Sequence, residues 1–212
     1  MDLGQQIIIL ISVFLVIWYL VFSILNRRRG IGMYHWLREG LEKLGKISEA
    51  GWIGSSGSGA RLIVGKAQAP FKRIEVVFLL QTREVLPLWI FNILRGKQDA
   101  MILKAALRTK PAQELEVARV GERDFKNLLV EEQKHPYEQV EAPKGFLMAR
   151  RGDADDSIIQ RVGDFINQYP ESVQQISLQR SKPHLILQTN LPEIQEEPAE
   201  QFFSALKKCF ET

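Results

Sequence analysis

Few residues in this 212-residue chain have the type and spacing that metal binding or nucleophilic catalysis requires. The histidines, His35, His135 and His184, are far apart, and the single cysteine, Cys209, is remote from all three. Protein metal sites usually combine His and Cys ligands at short, fixed spacings, so we expect no metal and no other cofactor. Cys209 falls on the apolar side of a predicted C-terminal helix, where a thiol is normally buried and inert.

Serines and clustered carboxylates have structural explanations here. The segment Gly54–Arg61 matches neither the G-x-S-x-G nucleophile elbow nor the G-x-x-x-x-G-K-[ST] phosphate-binding loop. Asp153, Asp155 and Asp156 are placed to cap and charge the first turn of a helix. We therefore predict no catalytic residue.

Glu75 is the one carboxylate in an unexpected place, because it lies within the most apolar predicted strand. A charge there must be at a sheet edge, be paired with a cation such as Arg73 or Arg83, or serve a function. Pairing is the interpretation that we favour.

An uninterrupted apolar stretch, Ile7–Leu25, dominates the N-terminal part of the chain. As a helix it would be about 28 Å long, close to the roughly 30 Å hydrocarbon core of a bilayer. A cleaved signal peptide is the alternative, but the chain lacks the basic start and the small-residue cleavage site of such peptides. We therefore predict an uncleaved transmembrane anchor with a basic flank over residues 1–29.

The cations beside this stretch predict its orientation. All of them lie on its C-terminal side, and Lys and Arg close to a span resist translocation. We expect a single-pass protein of the cell membrane with its N-terminus outside and its soluble domain in the cytoplasm, a compartment that also suits a lone cysteine. The residues predicted to contact the membrane surface are Trp18, Tyr19, Arg27, Arg28, Arg29 and Trp36.

The distribution of charge gives no support for nucleic-acid binding. The net charge is +3, but six cations and two anions fall between Arg27 and Lys46, and residues 47–212 carry 22 charges of each sign. A domain that binds nucleic acid is expected to have a basic excess of its own. We therefore expect no nucleic-acid partner.

Residues 30–60 are predicted to join the anchor to the soluble domain. Gly30-Ile31-Gly32 should break the transmembrane helix, and Met33–Ile47 has the spacing of a second, amphipathic helix. That helix either lies on the membrane through Trp36 and its cations or packs its leucine face onto the domain, which is the interpretation we favour. Gly51–Arg61, rich in Gly and Ser, predicts a flexible linker or a loop before the first strand.

The rest of the chain has the pattern of an α+β domain, with a mostly antiparallel sheet covered by helices. Its halves, 61–131 and 145–212, are joined by an irregular connection over 132–144. The predicted strands are Leu62–Val64, Ile74–Leu80, Met101–Leu107, Leu115–Arg119, Gly145–Ala149, Gln175–Gln179 and Leu185–Leu187. The predicted helices are Leu86–Leu94, Arg123–Glu131, Ile158–Ile166 and Pro198–Phe210.

The two halves share an order of predicted elements, β-α-β-β followed by a helix. Similar turns, Arg108-Thr109-Lys110-Pro111 and Arg180-Ser181-Lys182-Pro183, occupy equivalent places 72 residues apart. Lysine and proline are common in turns, so the resemblance alone is not specific. A duplicated β-α-β-β unit and two independent hairpins in one sheet explain the pattern equally well.

These features predict a non-catalytic, membrane-anchored module whose cytoplasmic domain binds another membrane protein, as a subunit or assembly factor of a membrane complex. The lipid bilayer and that protein are the expected partners, and the oligomeric state stays open. The alternative is an enzyme that acts on a lipid or small molecule in a cleft between the two halves. A third hypothesis places the basic turn tips Lys110 and Lys182, with the arginine triplet, against anionic lipid.

Overall fold

The computed structural model describes residues 2–121, 137–152 and 156–211. Within these ranges the helices are α1 (Leu3–Leu44), α2 (Leu86–Leu94), α3 (Asp156–Gln168), α4 (Leu191–Ile194) and α5 (Ala199–Phe210). The strands are β1 (Gly45–Trp52), β2 (Gly59–Ala67), β3 (Phe71–Leu79), β4 (Ala100–Leu107), β5 (Gln113–Arg119), β6 (Glu138–Val140), β7 (Phe146–Gly152), β8 (Val173–Leu178) and β9 (Leu185–Asn190). The predicted α+β class, with one long apolar helix at the N-terminus, is confirmed.

The predicted helix break at Gly30-Ile31-Gly32 is wrong, because α1 runs without interruption from Leu3 to Leu44. At about 1.5 Å per residue this helix is about 63 Å long. Glycine costs a helix about 1 kcal/mol relative to alanine, and packing against the domain offsets that cost. The buried residues of α1 recur every three or four positions and form one stripe: Asn26, Gly30, Met33, Leu37, Gly40, Leu41 and Leu44.

The leucine face of α1 packs onto the sheet, as favoured from the sequence. Met33, Leu37, Leu41 and Leu44 are at most 2% exposed and belong to the main core cluster. The C-terminal part of α1 is therefore a core helix of the domain, and it continues directly into the apolar stretch.

The Gly- and Ser-rich segment Gly51–Arg61 belongs to a hairpin, so the predicted flexible linker is wrong. Strand β1 pairs antiparallel with β2, with Trp52 opposite Ala60. The turn between the two strands is closed by a hydrogen bond from the Ile53 N–H to the Gly59 carbonyl (2.9 Å). Because β1 is an edge strand with mostly exposed side chains, it lacks the apolar alternation by which strands are recognised in sequence.

The nine strands form one sheet in the order β1-β2-β3-β4-β9-β8-β5-β7-β6. Every neighbouring pair is antiparallel. The β4–β5 connection therefore crosses the end of the sheet past β9 and β8, and these two strands are inserted between the first four strands and β5.

The two halves share an element order but not a pattern of strand pairing. Strands β3 and β4, on either side of α2, are direct antiparallel neighbours. Strands β7 and β8, on either side of α3, are separated by β5 and run parallel to each other. The Lys182 turn closes a hairpin between neighbouring strands, whereas the Lys110 turn begins a crossover. The similar turns thus do not correspond to equivalent topology.

Helices α1, α3 and α5 cover one face of the sheet, with α5 between the other two. Their buried apolar side chains form a single core with the inward-facing side chains of the strands. Phe202 and Phe203 on α5 are fully buried, and the Phe202 ring packs against Phe165 and Tyr169 at centroid distances of 5.6 and 5.2 Å. The C-terminal helix predicted from proline, acidic and basic placement is confirmed.

Several predictions fall outside the described residues. They are the helix Arg123–Glu131, the first part of the 132–144 connection, and the capping residues Asp153 and Asp155. The described end of that connection contains the short strand β6. Asp156 begins α3, and its carboxylate forms an ion pair with Arg150 at 3.0 Å.

Candidate functional site

Two elements that lie side by side expose continuous apolar surface. Helix α1 is long and apolar enough to cross a membrane, and none of its most apolar part is buried. None of the residues of α2 is buried either; Ile90 and Phe91 are about half exposed, and Leu94 is 80% exposed. Contiguous exposed apolar surface of this kind marks a membrane or protein interface.

Aromatic side chains join these two helices. The Trp89 ring of α2 packs against Trp18 and Phe22 of α1 at centroid distances of 5.4 and 5.8 Å. Trp18 and Phe22 stack on each other at 4.2 Å, and the Trp18 indole N–H donates a hydrogen bond to the Arg83 carbonyl (3.1 Å). Helix α2 therefore contacts α1 within the apolar stretch and not beyond its end.

A group of polar side chains lies directly beyond these aromatic contacts; we call Asn26, Gln81, Arg83, Glu84 and Asp99 the junction cluster. The Asn26 amide donates hydrogen bonds to the Gln81 carbonyl (2.9 Å) and to the Glu84 carboxylate (2.7 Å). Its amide oxygen accepts one from the Arg83 guanidinium (3.2 Å). Asn26 is 1% exposed, so the first polar residue after the apolar stretch is buried and fully partnered.

The second part of the junction cluster is a buried ion pair. Arg83 and Asp99 approach to 2.7 Å, and their side chains are 14% and 5% exposed. The other Asp99 oxygen accepts a hydrogen bond from the Gln81 N–H (2.7 Å). The cluster thereby ties α1, the β3–α2 connection and the start of β4 together, which fixes the direction in which α1 leaves the domain.

The turn between β1 and β2 packs on α1 next to the junction cluster. A Cβ atom built on Gly30 would lie 1.7 Å from the Ser56 carbonyl oxygen, and one on Gly57 would lie 3.4 Å from the backbone of Arg27. Only a glycine at position 30 allows the turn to approach the helix this closely. The predicted linker is thus part of the surface that holds α1.

The predicted membrane-surface residues separate into two groups. Arg27, Arg28 and Arg29 are exposed directly after the apolar stretch, and Tyr19 is exposed within it. Trp18 is half-buried, because its ring lies against α2. The structure thus brings these residues to the same end of the domain as the junction cluster.

Trp36, the last of the predicted membrane-surface residues, packs on the domain. Its indole N–H donates a hydrogen bond to the Glu197 carbonyl (2.8 Å). Its ring lies against Phe203 and Phe202 at centroid distances of 5.8 and 6.1 Å. It also lies about 15 Å along α1 beyond Asn26.

Lys110 and Lys182 lie at the opposite end of the sheet from α2. Strand β4 begins just after α2 and ends three residues before Lys110, and its eight residues span about 27 Å. Both lysines are near His184, whose pKa is lowered by burial and by their positive charges; its Nδ1 accepts a hydrogen bond from the Leu107 N–H (3.0 Å). The two turns therefore meet, but far from the residues of the apolar stretch.

A cavity of about 360 Å³ lies at this far end, where the β4–β5 crossover meets α3 and α5. Its walls are mostly apolar, and the lining includes the cationic residues Arg108, Lys110 and Arg161. Arg108 is held by hydrogen bonds to the carbonyls of Phe71 (3.1 Å) and Ala67 (2.8 Å). The described lining contains one carboxylate and no histidine, cysteine or serine.

The remaining unusual ionisable groups have structural partners. Glu75 pairs with Arg61 at 2.8 Å, which confirms pairing but with a different cation, and this hydrogen bond lowers its pKa. Burial raises the pKa of Glu116, which accepts a hydrogen bond from Ser177 (2.5 Å). Cys209 is 4% exposed, which confirms its predicted burial, and this burial raises the pKa of its thiol to about 12.

The sequence could not reveal the junction cluster, because Asn26, Arg83 and Asp99 lie in three separate stretches of the chain. The one available signal was that α2 is apolar on all sides, which is unusual for a helix at the surface of a soluble domain. Comparison with protein-family models finds none that matches this chain, and comparison with curated proteins finds no significant relative.

Proposed function

We propose that this protein is a membrane-anchored, non-catalytic docking module. The apolar part of α1 spans the membrane with the N-terminus outside, and the α+β domain on the cytoplasmic side binds another membrane protein. The position of Arg27, Arg28 and Arg29 after the span supports this orientation. A module of this kind acts as a subunit or assembly factor of a membrane complex.

The observation that carries the proposal is the face of the sheet opposite α1, α3 and α5. Val77 lies directly opposite Ile102, and Ile186 lies opposite Lys104. All three aliphatic side chains are half-buried and belong to no core cluster, and no described helix packs over them. This face over β2, β3, β4 and β9 is what we call the open face.

The chemistry of the open face suits a protein partner. Its aliphatic centre is flanked by the Arg61–Glu75 ion pair and by the exposed Lys104. Protein interfaces typically combine an apolar centre with a polar, solvent-accessible rim. At the end nearest α2 the open face continues to Leu79, which is 46% exposed, so a partner bound there would itself be close to the bilayer.

Photocrosslinking in the native membrane tests the docking function. A photoreactive amino acid at Ile102 should yield one discrete crosslinked product, whereas the same residue at Ser204, exposed on the helical side, should not. The product should disappear when Val77→Glu is added, because the charge would be buried beneath the partner. Equal labelling at both positions, or none at Ile102, would contradict docking through the open face.

The variant Val77→Glu needs a matched control for folding and anchoring. Ser204→Glu introduces the same charge on the other side of the domain. Both variants should stay in the membrane fraction after alkaline extraction and should unfold at similar temperatures. Only the open-face variant should release the crosslinked partner.

A second candidate function rests on the 360 Å³ cavity, whose volume falls within the range of small-molecule sites. Its apolar walls and the presence of Lys110 in its lining favour a ligand with a hydrocarbon body and one anionic group. Thermal-shift measurements with a series of medium-chain fatty acids would detect such a ligand. A stabilisation that is lost in Lys110→Met, while the Ile102 crosslink persists, would identify a ligand-binding domain.

A further inference from the structure

We infer that α2 is a second membrane element. It inserts into the leaflet next to the domain, which α1 also crosses before it enters the domain. The inference rests on the proposed membrane span of α1. Its partner is the hydrocarbon of the bilayer, not another protein, because the two helices touch at a depth that lies within one leaflet.

The contacts between the helices set that depth. Trp89 packs against Trp18 and Phe22, which precede Asn26 by eight and four residues, or about 12 and 6 Å along α1. The hydrocarbon of one leaflet is about 15 Å thick. If Trp18 and Phe22 lie in this hydrocarbon, Trp89 lies there as well, because the rings are in contact.

The composition of α2 fits that location. Its sequence, Leu86–Leu94, contains no charged residue and a single polar one, Asn92. The exposed side chains include Leu88, Ile90, Phe91 and Ile93, on a helix that has no buried residue. In water this surface would be costly, whereas in hydrocarbon its transfer is favourable.

Charged residues occur only where the chain enters and leaves α2. Before it, Arg83 and Glu84 are held in the junction cluster. After it, the Arg95 guanidinium lies over the Phe91 ring at 4.0 Å, and Lys97 follows two residues later. Long cationic side chains of this kind extend from an apolar surface toward the headgroups. Helix α2 is therefore a short apolar segment in the leaflet, with charged residues at the headgroups before and after it.

An environment-sensitive label can measure the depth of α2 in the full chain. Cys209 is 4% exposed with a pKa of about 12, so introduced cysteines can be labelled selectively with a nitrobenzoxadiazole maleimide. We choose Ile90→Cys in α2, Val16→Cys in α1 as the bilayer reference, and Ser204→Cys on α5 as the aqueous reference. The labelled proteins are reconstituted in phosphatidylcholine vesicles that contain a nitroxide-labelled phospholipid.

We expect the label at Ile90→Cys to emit at the same wavelength as the label at Val16→Cys, which should be shorter than that of the label at Ser204→Cys. The nitroxide lipid should quench it several-fold more strongly than the Ser204 label, and aqueous iodide should quench it several-fold less. Leu94→Cys, at the most exposed position of α2, provides a second variant in case Ile90→Cys disturbs packing, and it should behave in the same way.

Three results would overturn the inference. Quenching of the Ile90 and Leu94 labels by iodide, with Val16 still in lipid, would place α2 in water. Protection from both quenchers would mean that a second copy of the chain covers it, since no other protein is present. If the Val16 label itself were accessible to iodide, the membrane span would be refuted, and the proposed function would fail with it.

Discussion

Two glycines in α1 offer a matched pair of substitutions that tests how the domain holds its anchor. A Cβ atom on Gly30 would lie 1.7 Å from the Ser56 carbonyl oxygen, whereas one on Gly32 would have no neighbour within 4 Å. The Ser56 carbonyl is backbone, so it cannot rotate away as a flexible side chain would. Alanine at the two positions should therefore have opposite effects on stability.

The magnitudes follow from two opposing contributions. Alanine in place of glycine favours the helix by about 1 kcal/mol at either position. At Gly30 the forced displacement of the turn should cost about 3 kcal/mol, the upper end for overpacking, which leaves a net loss of about 2 kcal/mol. At about 2–4 °C per kcal/mol for a domain of this size, Gly30→Ala should lower Tm by about 4–8 °C, and Gly32→Ala should raise it by about 2–4 °C.

Thermal unfolding of the full chain in detergent micelles, followed by near-ultraviolet circular dichroism, measures both changes in one experiment. The double variant should show the sum of the two shifts, because Gly32 shares no neighbour with the turn. If Gly30→Ala stabilised the protein as much as Gly32→Ala, the turn would not be seated on the helix, and the account of the junction would be wrong.

Three further predictions concern buried ionisable groups. Asp99→Ala should destabilise the protein by about 3 kcal/mol, because it leaves the Arg83 cation buried and unpaired. Glu171→Ala removes an ion-pair partner that is 77% exposed and should cost less than about 1 kcal/mol. Thermal unfolding compares the two variants, and equal losses of stability would contradict the importance of burial. Cys209 should resist maleimide at about pH 8 until the protein unfolds, because burial raises its pKa to about 12; rapid labelling of the native protein would refute this. Burial also raises the pKa of Glu116 in the folded state above its ordinary value of 4.5. The contribution of Glu116 to stability therefore falls as the pH rises above about 4.5. Glu116→Gln should raise Tm at about pH 7 but have little effect at about pH 4. A Tm change that did not depend on pH would exclude this cause.

Local sequence patterns predicted the elements whose apolar residues face a single core. The strands around Ile74–Leu80 and Met101–Leu107 and the helix Pro198–Phe210 were found within a few residues of their observed bounds. In Met101–Leu107 and Pro198–Phe210 the alternation or the helical spacing of apolar residues reflects burial on one side, whereas Ile74–Leu80 is recognisable because it is almost continuously apolar. Pattern and fold therefore agree wherever one face is buried.

The sequence misled where tertiary contacts override local preference. Gly30 lowers helix propensity, but in α1 it provides room for the turn that contains Ser56. The Gly- and Ser-rich segment has a linker composition, but β1 gains its structure from pairing with β2 and not from its own residues. Local propensity does not include either contact, because both join residues distant in sequence.

The candidate site could be predicted only in part. The apolar stretch and the arginine triplet were recognisable, because hydropathy and charge are properties of consecutive residues. Helix α2 lies beside the apolar stretch because strands β2 and β3 return the chain to α1. No local sequence pattern encodes this return. A short apolar helix with the same composition could equally have been part of the core.

The continuity of α1 has a mechanical consequence. The apolar stretch and the core helix are one element. A domain carried by the proposed membrane span would therefore have no hinge about which to rotate and would follow the tilt of the span. Leu44 lies about 27 Å along the helix from Asn26, so a change in tilt of about 10°, well within the range adopted by membrane helices, would carry the far end of the domain sideways by about 5 Å. Under the proposed membrane span, the helix would convert a change in bilayer thickness, to which tilt responds, into displacement of the surface carried by the sheet.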